Sequence, residues 1–183
     1  RSFSQAAKTY DAAAFFQRIA GERLFERLDY FKLEPKNIVD LGCGTGVFTR
    51  ELSQRFPQAK TTGVDIAEGM IAWCKQKSQS EEYVCADAVS LPFEDNSVDL
   101  IFSNLSIQWV EDLEKLFVEL NRVLKPEGMV IGIETLGHNL IFNLKRRLNV
   151  ARGVRTKWGA VHIFKLNDFT RVRKYFNTIH ARY

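Results

Sequence analysis

The chain is short of several things. Its 183 residues hold three cysteines, at positions 43, 74 and 85, with four prolines, two methionines and three histidines. Three thiols cannot pair completely, so a disulfide framework is excluded, and they read as reduced cytosolic cysteines. No Cys or His cluster has metal-site spacing. No apolar run approaches the roughly 18 residues of a membrane span. No basic segment followed by an apolar one opens the chain, so no signal peptide is expected and the expected location is cytoplasmic. The start at Arg1 rather than Met leaves open where the gene itself begins. Internal repeats and low-complexity tracts are absent too. What is present is ordinary globular composition, 45% apolar and 26% charged, enough for one core and one domain over residues 1–183.

The net charge of +4 hides an asymmetry. Residues 1–137 carry 15 basic and 21 acidic side chains, net −6, whereas residues 138–183 carry 11 basic and one acidic, net +10. Lys145, Arg146, Arg147, Arg152, Arg155 and Lys157 fall within thirteen positions. Such a field attracts an anionic partner: a phosphate-bearing molecule, RNA or an acidic protein. The plain alternative is a solvated helix face and loop. Aromatics are not interleaved as a nucleic-acid stacking platform requires, so nucleic acid is not the expected partner.

Apolar periodicity predicts a helix over 11–31 with Asp11 as its cap, a buried strand at 38–41, and a helix at 48–56 closed by Pro57. Strands at 61–66, 82–86, 98–103 and 129–134 follow, with helices at 68–76 and 113–124 and a turn at Pro126–Glu127–Gly128. This βαβ rhythm predicts an α/β fold, a doubly wound and mostly parallel sheet with helices on both faces. Beyond Thr135 the pattern weakens. Helices at 139–148 and 166–175 and a last strand at 176–183 are the readings there.

The strongest local signal is Asp40-Leu41-Gly42-Cys43-Gly44-Thr45-Gly46 between a strand and a helix. Glycines there permit a tight turn and close backbone approach to a ligand. Asp65 ends the second strand, where a carboxylate can accept both ribose hydroxyls. At this point nicotinamide and adenosylmethionine folds are both open. Three details separate them. Val47 stands where the third glycine of a dinucleotide fingerprint would fall. Asp40 precedes the loop, where it would repel a pyrophosphate but could meet an ammonium directly or through water. Asp87 ends the third strand beside Ala88, placed to accept from an adenine amino group while the backbone donates to the ring. No Walker lysine follows the loop, which argues against triphosphate hydrolysis.

On these residues the sequence resembles the class I S-adenosylmethionine-dependent methyltransferases over about residues 36–135. The match takes in the glycine motif, Asp65 with Glu68–Gly69–Met70 after it, Asp87, Asp99 to Leu105, and Arg122 to Gly128. The resemblance implies S-adenosyl-L-methionine as cofactor, held by Asp40, Gly42, Cys43, Gly44, Gly46, Asp65, Ile66, Met70, Asp87, Ala88 and Asn104. Methyl transfer from a sulfonium is an in-line displacement that needs alignment and exclusion of water more than an acid or base. Three regions can supply the acceptor pocket: Tyr10 in an N-terminal lid, Gln108 and Trp109 after the fourth strand, and His138, Arg146, Arg147 and His162 after the fifth. An arginine there can clamp a carboxylate with two bonds.

A closer resemblance, strong over about 2–140, is to the malonyl-acyl carrier protein O-methyltransferases of biotin synthesis. It is carried by Phe3, Ala6–Ala7, Tyr10–Asp11, Leu91–Pro92–Phe93, Ser103–Asn104–Leu105, Gln108–Trp109, Asp112–Leu113, Arg122–Pro126, Thr135–Leu136–Gly137, and His162 with Phe164. It implies methylation of a malonyl thioester's free carboxylate, with Tyr10, His138, Arg146 and Arg147 as catalytic candidates and Gln108, Trp109 and His162 facing substrate. The implied partner is an acidic acyl carrier protein that the basic tail would steer in; the sequence leaves the oligomeric state open, with a monomer favoured. The alternatives are a methyltransferase for another small carboxylate such as trans-aconitate, or an arginine-hydroxylating assembly-factor-like protein. Such families run longer and finish with two antiparallel strands. A C-terminal part that is truncated or incomplete is therefore expected, with 148–165 the poorest match. The expected layout is a lid region at 1–35, a cofactor core at 36–135 and a basic substrate- or partner-facing region at 136–183.

Overall fold

The computed structural model describes residues 14–78, 80–135, 166–176 and 178. Its elements are α1 (Phe15–Glu26), β1 (Asn37–Leu41), α2 (Val47–Arg55), β2 (Lys60–Asp65), α3 (Glu68–Lys77), β3 (Glu82–Cys85), β4 (Val98–Asn104), α4 (Leu113–Val123), β5 (Leu124–Ile133) and α5 (Leu166–Val172). Short 3-10 turns cover Arg27–Tyr30 and Ile107–Trp109. The five strands form one sheet in the order β3-β2-β1-β4-β5, and every neighbouring pair is parallel. The doubly wound reading therefore holds. The order reverses between β1 and β4, so the carboxyl ends of these strands open a crevice where such sheets bind ligands.

Alternation along the strands builds two cores. Ile38, Leu100 and Phe102 point to one face, where Leu24 and Leu28, from α1 and the turn after it, and Phe48 and Leu52 of α2 cover them. Val39, Leu41 and Ile101 point to the other, against Leu116, Phe117, Leu120 and Val123 of α4. The apolar residues of α4 recur at helical spacing, and Asp112 caps it by accepting the Lys115 N–H at 3.0 Å. Each fully buried Leu or Phe contributes about 1.5–3 kcal/mol. The central strands, apolar on both faces, form the stiff part that carries the site.

Three expectations shift. The helix expected over 11–31 ends at Glu26, where a 3-10 turn takes over, and Ala14 rather than Asp11 stands at its cap position; Asp11 lies outside the described residues. The turn expected at Pro126–Gly128 is present, folding Gly128 back against Leu124 and Lys125, but it sits within the bounds of β5 and not ahead of the strand. Val98 pairs with Leu124 but Leu100 pairs with Met129, so the extra residues loop out while the strand continues. Phe176, expected to open a last strand, instead stacks edge-on against Phe117 at 6.5 Å beneath α4. The remainder of that strand and the helix expected at 139–148 lie outside the described residues. Among the described residues, no helix is long and apolar enough to cross a membrane.

Candidate functional site

The glycine loop leaves β1 at the switch point. Gly42, Gly44 and Gly46 all have positive φ, at 74°, 54° and 75°. At Gly42 the requirement is also steric, because an added Cβ would lie 2.2 Å from the Ser106 Cβ. The Gly42 and Cys43 N–H groups donate to the Val64 carbonyl at 2.7 and 3.0 Å, which ties the loop to β2.

The acids gather around this loop in different ways. Asp65 accepts from the Gly44 N–H at 2.9 Å and the Ala67 N–H at 2.8 Å, one through each oxygen. It holds the loop and starts α3 at once. Asp40 lies beneath, 2% exposed, accepting from the Thr49 hydroxyl at 2.6 Å. Burial pushes its carboxyl up to about 7; the Thr49 bond pulls it down and the neighbouring Asp65 charge adds to the rise. Asp40 thus sits under the loop with its side chain enclosed in a strand packed on both faces; of the two contacts expected with an ammonium, direct or through water, this burial suits an indirect one. Asp87 is exposed, and its Oδ1 accepts from the Val89 N–H at 3.2 Å. Ala86 N–H donates to the Asp65 carbonyl at 3.1 Å, so the ends of β2 and β3 lie side by side.

Other cofactor candidates divide by burial. Ile66 is 68% exposed at the mouth and Ala88 is half-buried. Met70 is 2% exposed and Cys43 8%. Their side chains belong to the packing under the loop, Cys43 with Ile71, Cys74 and Tyr83. The Cys43 thiol is pushed well up by its hydrogen bond with Cys74 and by burial, so it is no nucleophile. All three cysteines are free. Asn104, at the end of β4, donates to the Gln17 carbonyl at 2.9 Å and so docks α1 onto the site. Its Oδ1 is buried without a partner, an open acceptor at the switch point.

After Asn104, Leu105 takes a left-handed φ of 56°, rare for a bulky residue and worth ~1–3 kcal/mol of strain. It throws the chain into the 3-10 turn carrying Gln108 and Trp109. Trp109 is 44% exposed. The Gln108 amide is engaged within the protein: its Nε2 donates to the Leu105 carbonyl at 3.0 Å, and its Oε1 accepts from the Thr135 hydroxyl at 2.7 Å. Gln108 braces the turn instead of offering a free amide. Glu134, which sequence reasoning missed, accepts from the Ile107 N–H at 2.7 Å and the Gln108 N–H at 3.3 Å. The available signal was its place closing β5, the rule that singled out Asp65 and Asp87. Tyr10, His138, Arg146, Arg147 and His162 lie outside the described residues. No group of His, Cys, Asp or Glu that could hold a metal occurs among the described residues.

A glycine loop with Asp40, Asp65 and Asp87 at or next to the carboxyl ends of β1, β2 and β3 can be compared with known families. Residues 39–132 match the family described as methyltransferase domain. The chain belongs to that family. Its parallel, Rossmann-like sheet is the class I fold of S-adenosylmethionine-dependent methyltransferases. This methyltransferase domain is similar to proteins named malonyl-[acyl-carrier protein] O-methyltransferase. It is 41% identical to the one from Gallionella capsiferriformans over 155 residues, covering 80% of this chain and 53% of the relative. It is 43% identical to the one from a Methylovorus species over 154 residues, covering 79% and 52%. The chain therefore spans about half the length of the curated relatives it matches. Among solved structures it resembles Haemonchus contortus phosphoethanolamine N-methyltransferase 2 in complex with S-adenosyl-L-methionine, with a TM-score of 0.65 and 25% identity, covering 84% of this chain and 36% of that one.

The residues present fit that cofactor. Positive-φ glycines open the loop to close approach, and the Asp65 and Asp87 carboxylates, with Asp40 beneath the loop, give this edge the sign that a sulfonium and an ammonium require. The unpartnered Asn104 oxygen adds an acceptor at the same edge.

Proposed function

We propose that this domain is part of an S-adenosylmethionine-dependent O-methyltransferase whose acceptor is the free carboxylate of a malonyl thioester on an acyl carrier protein. The observation that carries this reading is identity of 41–43% over about four-fifths of the chain with proteins of that name. The cofactor, when bound, supplies an electrophilic methyl whose carbon–sulfur bond breaks, the pair going to sulfur, as a carboxylate oxygen bonds to the carbon.

The chain's own residues have separable tasks. Asp65 fixes the Gly44 amide and the start of α3, shaping the ribose end. Asp87 stands at the exposed end of β3 for the adenine side. Asp40 lends negative charge to the cationic end from beneath. A carboxylate is already a nucleophile at neutral pH, so no general base is needed; Arg146 or Arg147 would hold it against the charge of the acids, and Tyr10, His138 and His162 would close around it. The basic tail would bring in an acidic carrier protein.

The test is mass spectrometry of methyl transfer by the full-length protein with labelled methyl donor, offering malonyl-carrier protein, free malonate and trans-aconitate in parallel. One added methyl on the carrier-bound malonate alone supports the reading. Transfer to either free acid in preference removes it.

A further inference from the structure

The turn after β4 is held from outside its own sequence. The first turn of a helix or 3-10 segment leaves backbone N–H groups that need acceptors, usually a cap residue just before it. Here Ser106 stands at that position and makes no side-chain cap bond. Its hydroxyl instead donates to the Leu41 carbonyl at 2.8 Å, at the root of the glycine loop. The acceptor for the turn comes from β5, as the Glu134 carboxyl group takes the Ile107 and Gln108 N–H groups. The next residue, Thr135, takes hold of the Gln108 side chain.

This arrangement is costly. The carboxyl end of Glu134 is enclosed, and burial pushes it up to about 8 against the pull of the Ile107, Gln108 and Ser106 amides. Leu105, one residue before the turn, carries backbone strain. Two unfavourable features in one short segment, at the switch point, are what a site shows when its geometry is imposed by neighbours.

We propose that Glu134 is a positioning residue for the acceptor side: it fixes the Ser106–Trp109 turn so that Gln108 and Trp109 stand as a wall at the carboxyl edge of β4. The proposal rests on the methyltransferase reading above for the identity of that side. The glycine loop on the donor side keeps its own anchors on Asp65 and Val64 besides the Ser106 bond to Leu41.

The experiment compares the full-length protein with Glu134→Ala, Glu134→Gln and Thr135→Val. It measures amide exchange at Ile107 and Gln108, affinity for S-adenosylhomocysteine by calorimetry, and methyl-transfer kinetics on malonyl-carrier protein. Expected for Glu134→Ala are exchange at the two amides faster by about tenfold or more, acceptor KM raised about tenfold, and kcat and S-adenosylhomocysteine affinity within about threefold, a loss of about 1.4 kcal/mol on the acceptor side only. Glu134→Gln, which keeps one acceptor oxygen, should recover most of the KM. Unchanged exchange with unchanged KM overturns the proposal, and so does an equal loss of S-adenosylhomocysteine affinity. Should Glu134→Ala fail to fold, Thr135→Val decides: a raised acceptor KM at intact S-adenosylhomocysteine affinity supports the tether, and no change rejects it. If the wild type methylates no malonyl thioester, the substrate reading falls. The tether is then judged by exchange at constant S-adenosylhomocysteine affinity, where faster exchange supports it and unchanged exchange overturns it.

Discussion

The Asp65 carboxylate holds the Gly44 amide at 2.9 Å across 21 positions of sequence, with its second oxygen on Ala67. The acid at the tip of β2 is thus part of the glycine loop's framework as well as a wall of the crevice. A charge-assisted bond of this kind contributes about 1.5–3 kcal/mol. Asp65→Ala should therefore weaken S-adenosylmethionine binding by about ten- to a hundredfold. Loss of the intramolecular bonds should also lower the melting temperature by roughly 5–10 °C, while the sheet, whose core lies elsewhere, stays folded. Calorimetry and a thermal scan on the same preparation separate the two; unchanged affinity removes Asp65 from the site.

Asp40 ties cofactor affinity to pH. Burial holds its carboxyl near 7, so around neutrality part of the population is protonated. A cationic ligand favours the ionised form, so binding should release a proton and tighten as pH rises from 6 to 8, by up to about tenfold. The same raised carboxyl makes the empty protein less stable over that range: the native state keeps a proton that the unfolded chain has lost, and stability falls as pH rises toward 7. Asp40→Asn should flatten both curves. Calorimetry in buffers of different ionisation heat reads the proton, and no release near pH 7 would count against it.

Much of this was legible in the sequence because it depends on short-range pattern. Short apolar runs such as Ile38–Val39 and Leu100–Ile101–Phe102, bounded by turn residues, favour buried strands, and a glycine cluster between strand and helix favours a turn. The residues that escaped are those whose role is set by a partner far along the chain. Thr49 matters because it lies over Asp40, Ser106 because it reaches Leu41, and Glu134 because it meets the turn 27 positions earlier. Gln108 is visible by its place, but nothing in its neighbours tells that Leu105 and Thr135 hold its amide. The turn at Pro126–Gly128 is legible locally; that it interrupts a strand already paired with β4 at Leu124 is not, because only the partner strand shows it.

Tyr83 offers a test of packing under the loop. It is 3% exposed, and its hydroxyl is buried near the Arg50 guanidinium without a well-formed hydrogen bond, close to where a Cβ on Gly46 would fall. An unsatisfied buried polar group costs about 1–3 kcal/mol. Tyr83→Phe removes the hydroxyl and keeps the ring against Ile71 and Cys74. The variant should melt at or above the wild-type temperature and bind S-adenosylmethionine equally well. A clear drop in melting temperature would show that the hydroxyl has a favourable role in the folded protein.

The basic tail predicts a kinetic signature. Replacing Arg146 and Arg147 together with glutamine should lower kcat/KM on malonyl-carrier protein by at least tenfold while cofactor affinity stays within about threefold. Raising salt should slow the second-order rate of the wild type, because screening shortens the reach of the tail's field. A rate independent of salt would argue against charge-guided docking, and full activity in the double variant would remove both arginines from the site.

Arg122 joins the support of the site to the stability of the fold. From α4 its guanidinium donates to the Leu91 carbonyl at 3.1 Å and the Phe93 carbonyl at 2.9 Å, while pairing with Glu119 at 2.7 Å and Asp95 at 2.6 Å. Glu119 in turn accepts the Leu91 N–H at 2.6 Å. The segment so clamped begins four residues after Asp87, the acid proposed above for the adenine side. A lysine keeps the charge but cannot span the two carbonyls and the two carboxylates, since its single ammonium lacks the planar fork. Arg122→Lys should cost about 2 kcal/mol of stability. It should also weaken S-adenosylmethionine binding about threefold, through a looser Asp87. Denaturant melts and calorimetry on the one variant check both. A stability loss with cofactor affinity untouched would confine Arg122 to the fold and leave Asp87 positioned by the strand end alone.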